Sequence, residues 1–279
     1  MTESLSIDEV CLSKGELYTV VTNKREGQGN KSSLVAMING TDSKTLIEVL
    51  MKLPIEKRNM VTEMTLDMAR SMGHTSWVCF PKAQQVIDRF HVVRLVMDAM
   101  QHIRVKYRWE AIELENNMIK KAKESGKKYK PQIFENGDTL KELLARSKYL
   151  FYKFKSEWTI NQMKRAAILF NQYPILKQAY DLVVLFRNIY KSESIYQARL
   201  RLNHWIYQVK KTTITEFNTC VNTMEYHIED ILAFFVNRET NANAESFNAK
   251  IKQFRSEVRG VSDVKFFLFR LEKLFAQSP

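Results

Sequence analysis

The chain has 279 residues, 45% of them hydrophobic and 11% aromatic, enough to bury a core in one large domain or two smaller ones. Few Gly and Pro residues argue against a many-stranded β architecture. Three scattered cysteines (Cys11, Cys79, Cys220) without a C-x-x-C pair exclude a disulfide scaffold or zinc ribbon and favour a reducing compartment. The net charge of +12 is uneven: residues 1–88 hold 10 Lys/Arg against 11 Asp/Glu, residues 89–279 hold 33 against 20.

MTESLSIDEV has neither the basic nor the apolar stretch of a signal peptide, and no apolar run approaches the ~18 residues of a membrane span. A soluble, cytoplasmic protein is expected. The basic second part nominates a polyanion such as nucleic acid as partner. Long helices carrying solvated Lys and Arg are the other reading of that charge.

SLSIDEVCL alternates apolar and polar residues as a strand does, and ELYTVVTN (16–23) and SLVAMING (33–40) are rich in β-branched and aromatic residues. The turn-like EGQGNKSS between them makes the three an antiparallel meander. TDSKTLIEVLMKLP reads as a helix with Thr41 or Asp42 as its N-cap and Pro54 as its stop. VTEMTLDM (61–68) is a strand ending at Asp67, a short helix runs through Ala69–Trp77, and FPKAQQVID is a strand ending at Asp88. The order β-β-β-α-β-α-β is mixed α/β.

From His91 the apolar period becomes helical, with stretches at about 91–124, 138–154, 159–172, 175–191, 195–211, 214–235, 240–258 and 262–276. Tyr107, Trp109, Trp158 and Trp205 in this part are read as core residues, with stacking on unpaired bases as the alternative. His74, His102, His204 and His227 show no ligand spacing.

Four acids stand out. Asp8 sits between apolar residues in a strand, where a carboxylate is costly unless paired, hydrogen-bonded or metal-bound. Asp67 and Asp88 end strands, where sites of α/β sheets assemble; both can equally cap the helices that follow. Glu9 should point to the face opposite Asp8. The fourth acid, Glu245, lies in RETNANAESFNAKIKQFRSEVRG. At 100° per residue, Phe247, Ile251, Phe254 and Val258 form one apolar stripe, while Asn241, Glu245, Asn248, Lys252, Arg255 and Arg259 share a polar arc. That arc suits a metal-bound phosphate, with Glu245 toward the metal and the amides and cations toward a DNA backbone. An ordinary amphipathic surface helix has the same pattern.

SIDEVCLSKGELYTVV, TLDM, FPKAQQVIDRFHVVR and AESFNAKIK, in this order, resemble the signatures of DDE transposases of bacterial insertion sequences, most closely the ISL-three family, over residues of about 5–275. The resemblance implies an RNase H-like α/β fold, a mixed sheet flanked by helices and interrupted by a large all-helical insertion. The catalytic domain would comprise 1–91 and 237–279, and the insertion 92–236. It implies metal-dependent DNA strand cleavage and strand transfer, with Asp8, Asp67 and Glu245 as catalytic acids and ligands of Mg²⁺ or Mn²⁺. Asn241, Asn248, Lys252, Arg255 and Arg259 would contact DNA, and Asp88 and His91 would neighbour the site.

The implied partners are transposon-end and target DNA, with several copies of the chain assembled on it. Members of the family resemble proteins with a zinc-binding segment and helix-turn-helix ahead of the first acid. Met1 stands seven residues before Asp8, so end recognition is expected from a separate or missing module. The alternatives are an inactive DNA-binding remnant and another RNase H-like nuclease or integrase.

Overall fold

The computed structural model describes residues 1–12, 15–24, 33–238, 242–258 and 263–275. Asn241 and Arg259, both expected on the polar arc, lie outside the described residues. The chain divides into two compact units, Met1–Val92 with Tyr226–Pro279, and Val93–Glu225.

The first unit is built on a five-stranded sheet, β1 (Ser4–Cys11), β2 (Leu17–Asn23), β3 (Ser33–Asn39), β4 (Glu63–Leu66) and β5 (Gln84–Ile87), in the order β3-β2-β1-β4-β5. The first three strands form the expected antiparallel meander, while β4 and β5 add parallel to β1. Parallel addition needs crossovers. These are α1 (Ser43–Leu50) and the short α2 (Ile55–Asn59) before β4, and α3 (Arg70–Cys79) before β5. Asp42, rather than Thr41, caps α1 by accepting from Thr45 N at 3.0 Å. The short α2 falls on a segment with no sequence signal beyond Pro54, which precedes its first residue.

α10 (Ile228–Asn237) packs on β5 within this unit, although the family resemblance implies an insertion over 92–236. Its Asn237 Nδ2 donates to Glu63 Oε2 at 3.0 Å, and the buried Lys24 lies 3.3 Å from Glu63 Oε1, so the opening of β4 is tied to the end of α10 and to the residue after β2. α11 (Ala242–Glu257) and α12 (Val264–Phe275) close the unit. Phe247 and Ile251 of α11 are fully buried with Val10, Tyr18, Val20, Phe267 and Leu271, and Phe254 and Val258 pack at the edge of that cluster. Each fully buried side chain of this kind contributes about 1.5–3 kcal/mol. The apolar stripe read from the sequence is therefore the face that docks α11 on the sheet.

The second unit is all-helical. It takes α4 (Arg89–Glu124) from Val93 onward and contains α5 (Leu140–Arg146), α6 (Ile160–Gln172), α7 (Pro174–Arg187), α8 (Ile195–Lys210) and α9 (Asn218–Tyr226) up to Glu225. Trp158 and Trp205 are buried in its core, their indole N–H groups donating to Leu150 O at 3.0 Å and Leu182 O at 2.9 Å. Trp109 departs from the core expectation and is 65% exposed. Buried Asp138 holds Arg146 and Arg165 beside the capping box of α5, where Thr139 and Glu142 exchange hydrogen bonds. This unit carries 24 Lys/Arg against 13 Asp/Glu, so it holds almost the whole of the chain's positive charge.

Candidate active site

Strand register accounts for the grouping of acids. β1 pairs with β4 through Ser6↔Thr65, and β4 with β5 through Leu66↔Ile87. Continued to the strand ends, that register sets Asp8, Asp67 and Asp88 in a row, one per strand, on strands about 4.8 Å apart. All three stand at or near the carboxyl ends of parallel strands, where α/β sheets place their sites.

Helix α11 adds the fourth acid. Val10 lies two residues from Asp8 on the same face of β1, and Val10 is in the cluster that buries Phe247 and Ile251. Docking that stripe brings the neighbouring arc of α11 over Asp8. Asn248 Nδ2 donates to Asp8 Oδ2 at 2.6 Å, while Glu9 N donates to Asp8 Oδ1 at 2.8 Å. Both oxygens of Asp8 are thus oriented. Glu245, one turn before Asn248, is exposed.

Electrostatics report the same gathering. The Asp8 carboxyl is raised above its ordinary value, chiefly by burial and further by Asp67 and Asp88, against lowering by the Glu9 N–H and His91. Partial desolvation raises Glu245 as well, exposed as its side chain is, with Asp88 and Asp8 adding to it. Glu9 is raised by burial and then by Asp67 and Asp8, so it lies in the field of the row although exposed. In all three the charge of His91 offsets part of the rise.

Asp88 Oδ1 accepts from Phe90 N at 3.2 Å at the start of α4, as a cap does. Asp67 Oδ1 accepts from Ala69 N at 2.7 Å, but Ala69 is itself the N-cap of α3 and no side chain caps that helix, so the capping alternative does not hold for Asp67. Asp88 is 95% buried, and its Oδ2 lies 3.2 Å from His91 Nδ1, an ion-pair distance without the alignment of a hydrogen bond. Pairing with Asp88 raises the His91 imidazole above its ordinary value, against the opposing effect of burial.

Two side chains expected to meet DNA are turned inward. Arg255 is 95% buried in a two-pronged pair with Glu16, Nε to Oε2 at 3.0 Å and Nη2 to Oε1 at 2.8 Å, and lies over the Phe267 ring. A guanidinium so engaged is not available to a phosphate. Asn248 is likewise buried, its amide nitrogen committed to Asp8. Lys252 is exposed. The arc mixes inward and outward residues because Asn248 and Arg255 stand at its edge beside the apolar stripe, while Glu245 and Lys252 lie farther round the helix. No sequence signal marked Glu16 as the partner of Arg255.

Among the described residues no three acidic, histidine or cysteine side chains converge as a ready-made metal cage. Mg²⁺ rarely needs one: it takes one or two carboxylates, keeps waters and shares substrate phosphates. The donor set here, carboxylate oxygens without thiolate, fits that hard cation. The buried Oδ1 of Asn248 and Oδ2 of Asp88, both without a hydrogen-bond partner, show polar capacity left open beside the row.

A five-stranded sheet of this order, with acids at the ends of its parallel strands and a glutamate on the covering helix, is the arrangement of RNase H-like enzymes that process nucleic acids. A family model of the ISL-three DDE transposases, described as a transposase, matches residues 5–271, and the chain belongs to that family. No curated protein matches the chain. Among the described residues no helix is long and apolar enough to cross a membrane.

Proposed function

We propose that the chain cuts DNA at the ends of an insertion sequence and joins the freed 3′-hydroxyl to target DNA. Asp8, Asp67 and Glu245 are its catalytic acids. The observation that carries this reading is the convergence of Asp8 and Asp67 on neighbouring strand ends with α11 held against Asp8 through Asn248. Bound Mg²⁺ or Mn²⁺ would activate the attacking water or hydroxyl and neutralise charge on the phosphate. Asp8, Asp67 and Glu245 would hold the cations, Asn248 keeps Asp8 turned toward them, and Lys252 offers a cation to the DNA backbone. Asp88 and His91 border the same row. Assembly of several copies on DNA belongs to the same reading.

The test replaces each acid isosterically, as Asp8→Asn, Asp67→Asn and Glu245→Gln. Nicking of supercoiled DNA in Mg²⁺ and the heat of Mn²⁺ binding should both be lost, while duplex affinity persists. Unchanged nicking by any of the three would falsify that residue's assignment. A strand-transfer assay separates a transposase from a nuclease that only cuts.

A further inference from the structure

The helical unit contains a half-open cavity of about 430 Å³ lined by Leu185, Asn188, Lys191, Leu200, Arg201 and His204. Its size is that of a small-molecule site. None of the six is acidic, and from Leu185 to Lys211 the chain has six Lys/Arg and His204 against the single acid Glu193.

Two features separate this cavity from a merely basic surface. Its walls include two leucines, and Leu200 is 52% exposed amid cations. Leu200 also shares the outward face of α8 with Tyr196 and Tyr207, which are 72% and 53% exposed, while Ala198, Leu202, Trp205 and Val209 form the buried face. The second feature is a fixed cation. Arg201 Nη1 donates to Asn188 O at 3.0 Å and to Ser192 Oγ at 3.3 Å. Anchored through one nitrogen, a guanidinium keeps further N–H donors for an anion.

A ligand that satisfies both features has a flat apolar face and a negative charge close to it. Paired DNA offers the charge but keeps its bases stacked out of reach; an acidic peptide offers the charge but leaves the leucines uncovered. We propose that this cavity takes one unpaired nucleotide of a DNA strand, its base against Leu185 and Leu200 and its phosphate on Lys191 and Arg201. Single strands are held without sequence preference in cationic grooves where bases stack on aromatic side chains, a place that the two leucines take here. The cavity lies wholly in the helical unit, so the proposal stands apart from the carboxylate row.

The experiment measures affinity of the full chain for an oligothymidylate strand and for a blunt duplex of equal length at one salt concentration. Leu200→Gln removes the apolar wall at an exposed helix position without changing charge, and circular dichroism checks that the fold is kept. The single strand should bind on the order of ten-fold more weakly while the duplex is unaffected. A 4-thiothymidine in the strand should photo-crosslink to the peptide carrying Leu200 and His204, and Lys191→Gln should weaken that crosslink. Equal loss for both DNAs, no loss for either, or displacement of the strand by polyglutamate with Leu200→Gln as potent as the parent chain would each overturn the proposal.

Discussion

Asn248 and Asp8 stand 240 residues apart in sequence and meet through a 2.6 Å hydrogen bond. That bond joins the first strand of the sheet to the helix that carries Glu245, so the register of α11 and the direction of the Asp8 carboxylate are set together. The amide is buried and its oxygen is unpartnered, which places Asn248 behind the carboxylate rather than in a DNA groove.

Replacing Asn248 by Leu keeps the volume and removes the donor. Removing such a supporting partner costs on the order of ten- to a hundred-fold in metal affinity or activity. The expected result is a higher Mn²⁺ dissociation constant by calorimetry and a matching rise in the Mg²⁺ needed for nicking, with duplex affinity unaltered. A fall in duplex affinity with normal metal dependence would return Asn248 to the DNA contacts.

Lys252 and Arg255, three residues apart on one helix, should respond in opposite ways. Lys252→Ala should weaken duplex binding evenly across sequences and reduce the salt slope by about 1. Glu16→Ala leaves the Arg255 guanidinium buried without its carboxylate and should cost roughly 3 kcal/mol of stability, with no change in the salt slope. Denaturant unfolding and salt-titrated anisotropy measure the two.

The Asp88–His91 pair predicts a pH signature. His91 is raised above its ordinary 6.5 by Asp88, so the pair contributes stability fully below pH 6.5 and loses it as pH rises through the folded-state value. Asp88→Asn should move the imidazole back toward 6.5, seen by NMR titration, and flatten stability over that window. An imidazole titrating identically in both proteins would remove the pair as its cause.

Asp138 acts at the other end of the scale. Burial alone would raise it, but hydrogen bonds and charge from Arg165 and Arg146 outweigh burial and hold it below its ordinary 3.8. Its stability contribution is therefore present above pH 3.8 and is lost as pH falls through the depressed value. Asp138→Ala should destabilise the helical unit by about 3 kcal/mol, the low end for a buried pair because Arg146 is half exposed. Thermal unfolding at neutral pH should show it, and the difference from the parent chain should shrink in acid.

Much of this was legible in the chain itself. The alternation of SLSIDEVCL gave Asp8 a strand with no helix to cap, and the 247-251-254-258 stripe picked the docking face of α11. The change of period after Asp88 separated sheet from helices. All three are local patterns written in neighbouring residues, which is why sequence carries them.

What neighbouring residues cannot state is which distant group a side chain will meet. Only the register of β1, β4 and β5 aligned Asp8, Asp67 and Asp88, and only the seating of α11 gave Asn248 and Arg255 their partners. A helical wheel sets those two at the edge of the arc beside the apolar stripe, with Lys252 farther round, but it cannot say what stands across from them. Asp8 and Glu16, each more than two hundred residues earlier in the chain, stand there.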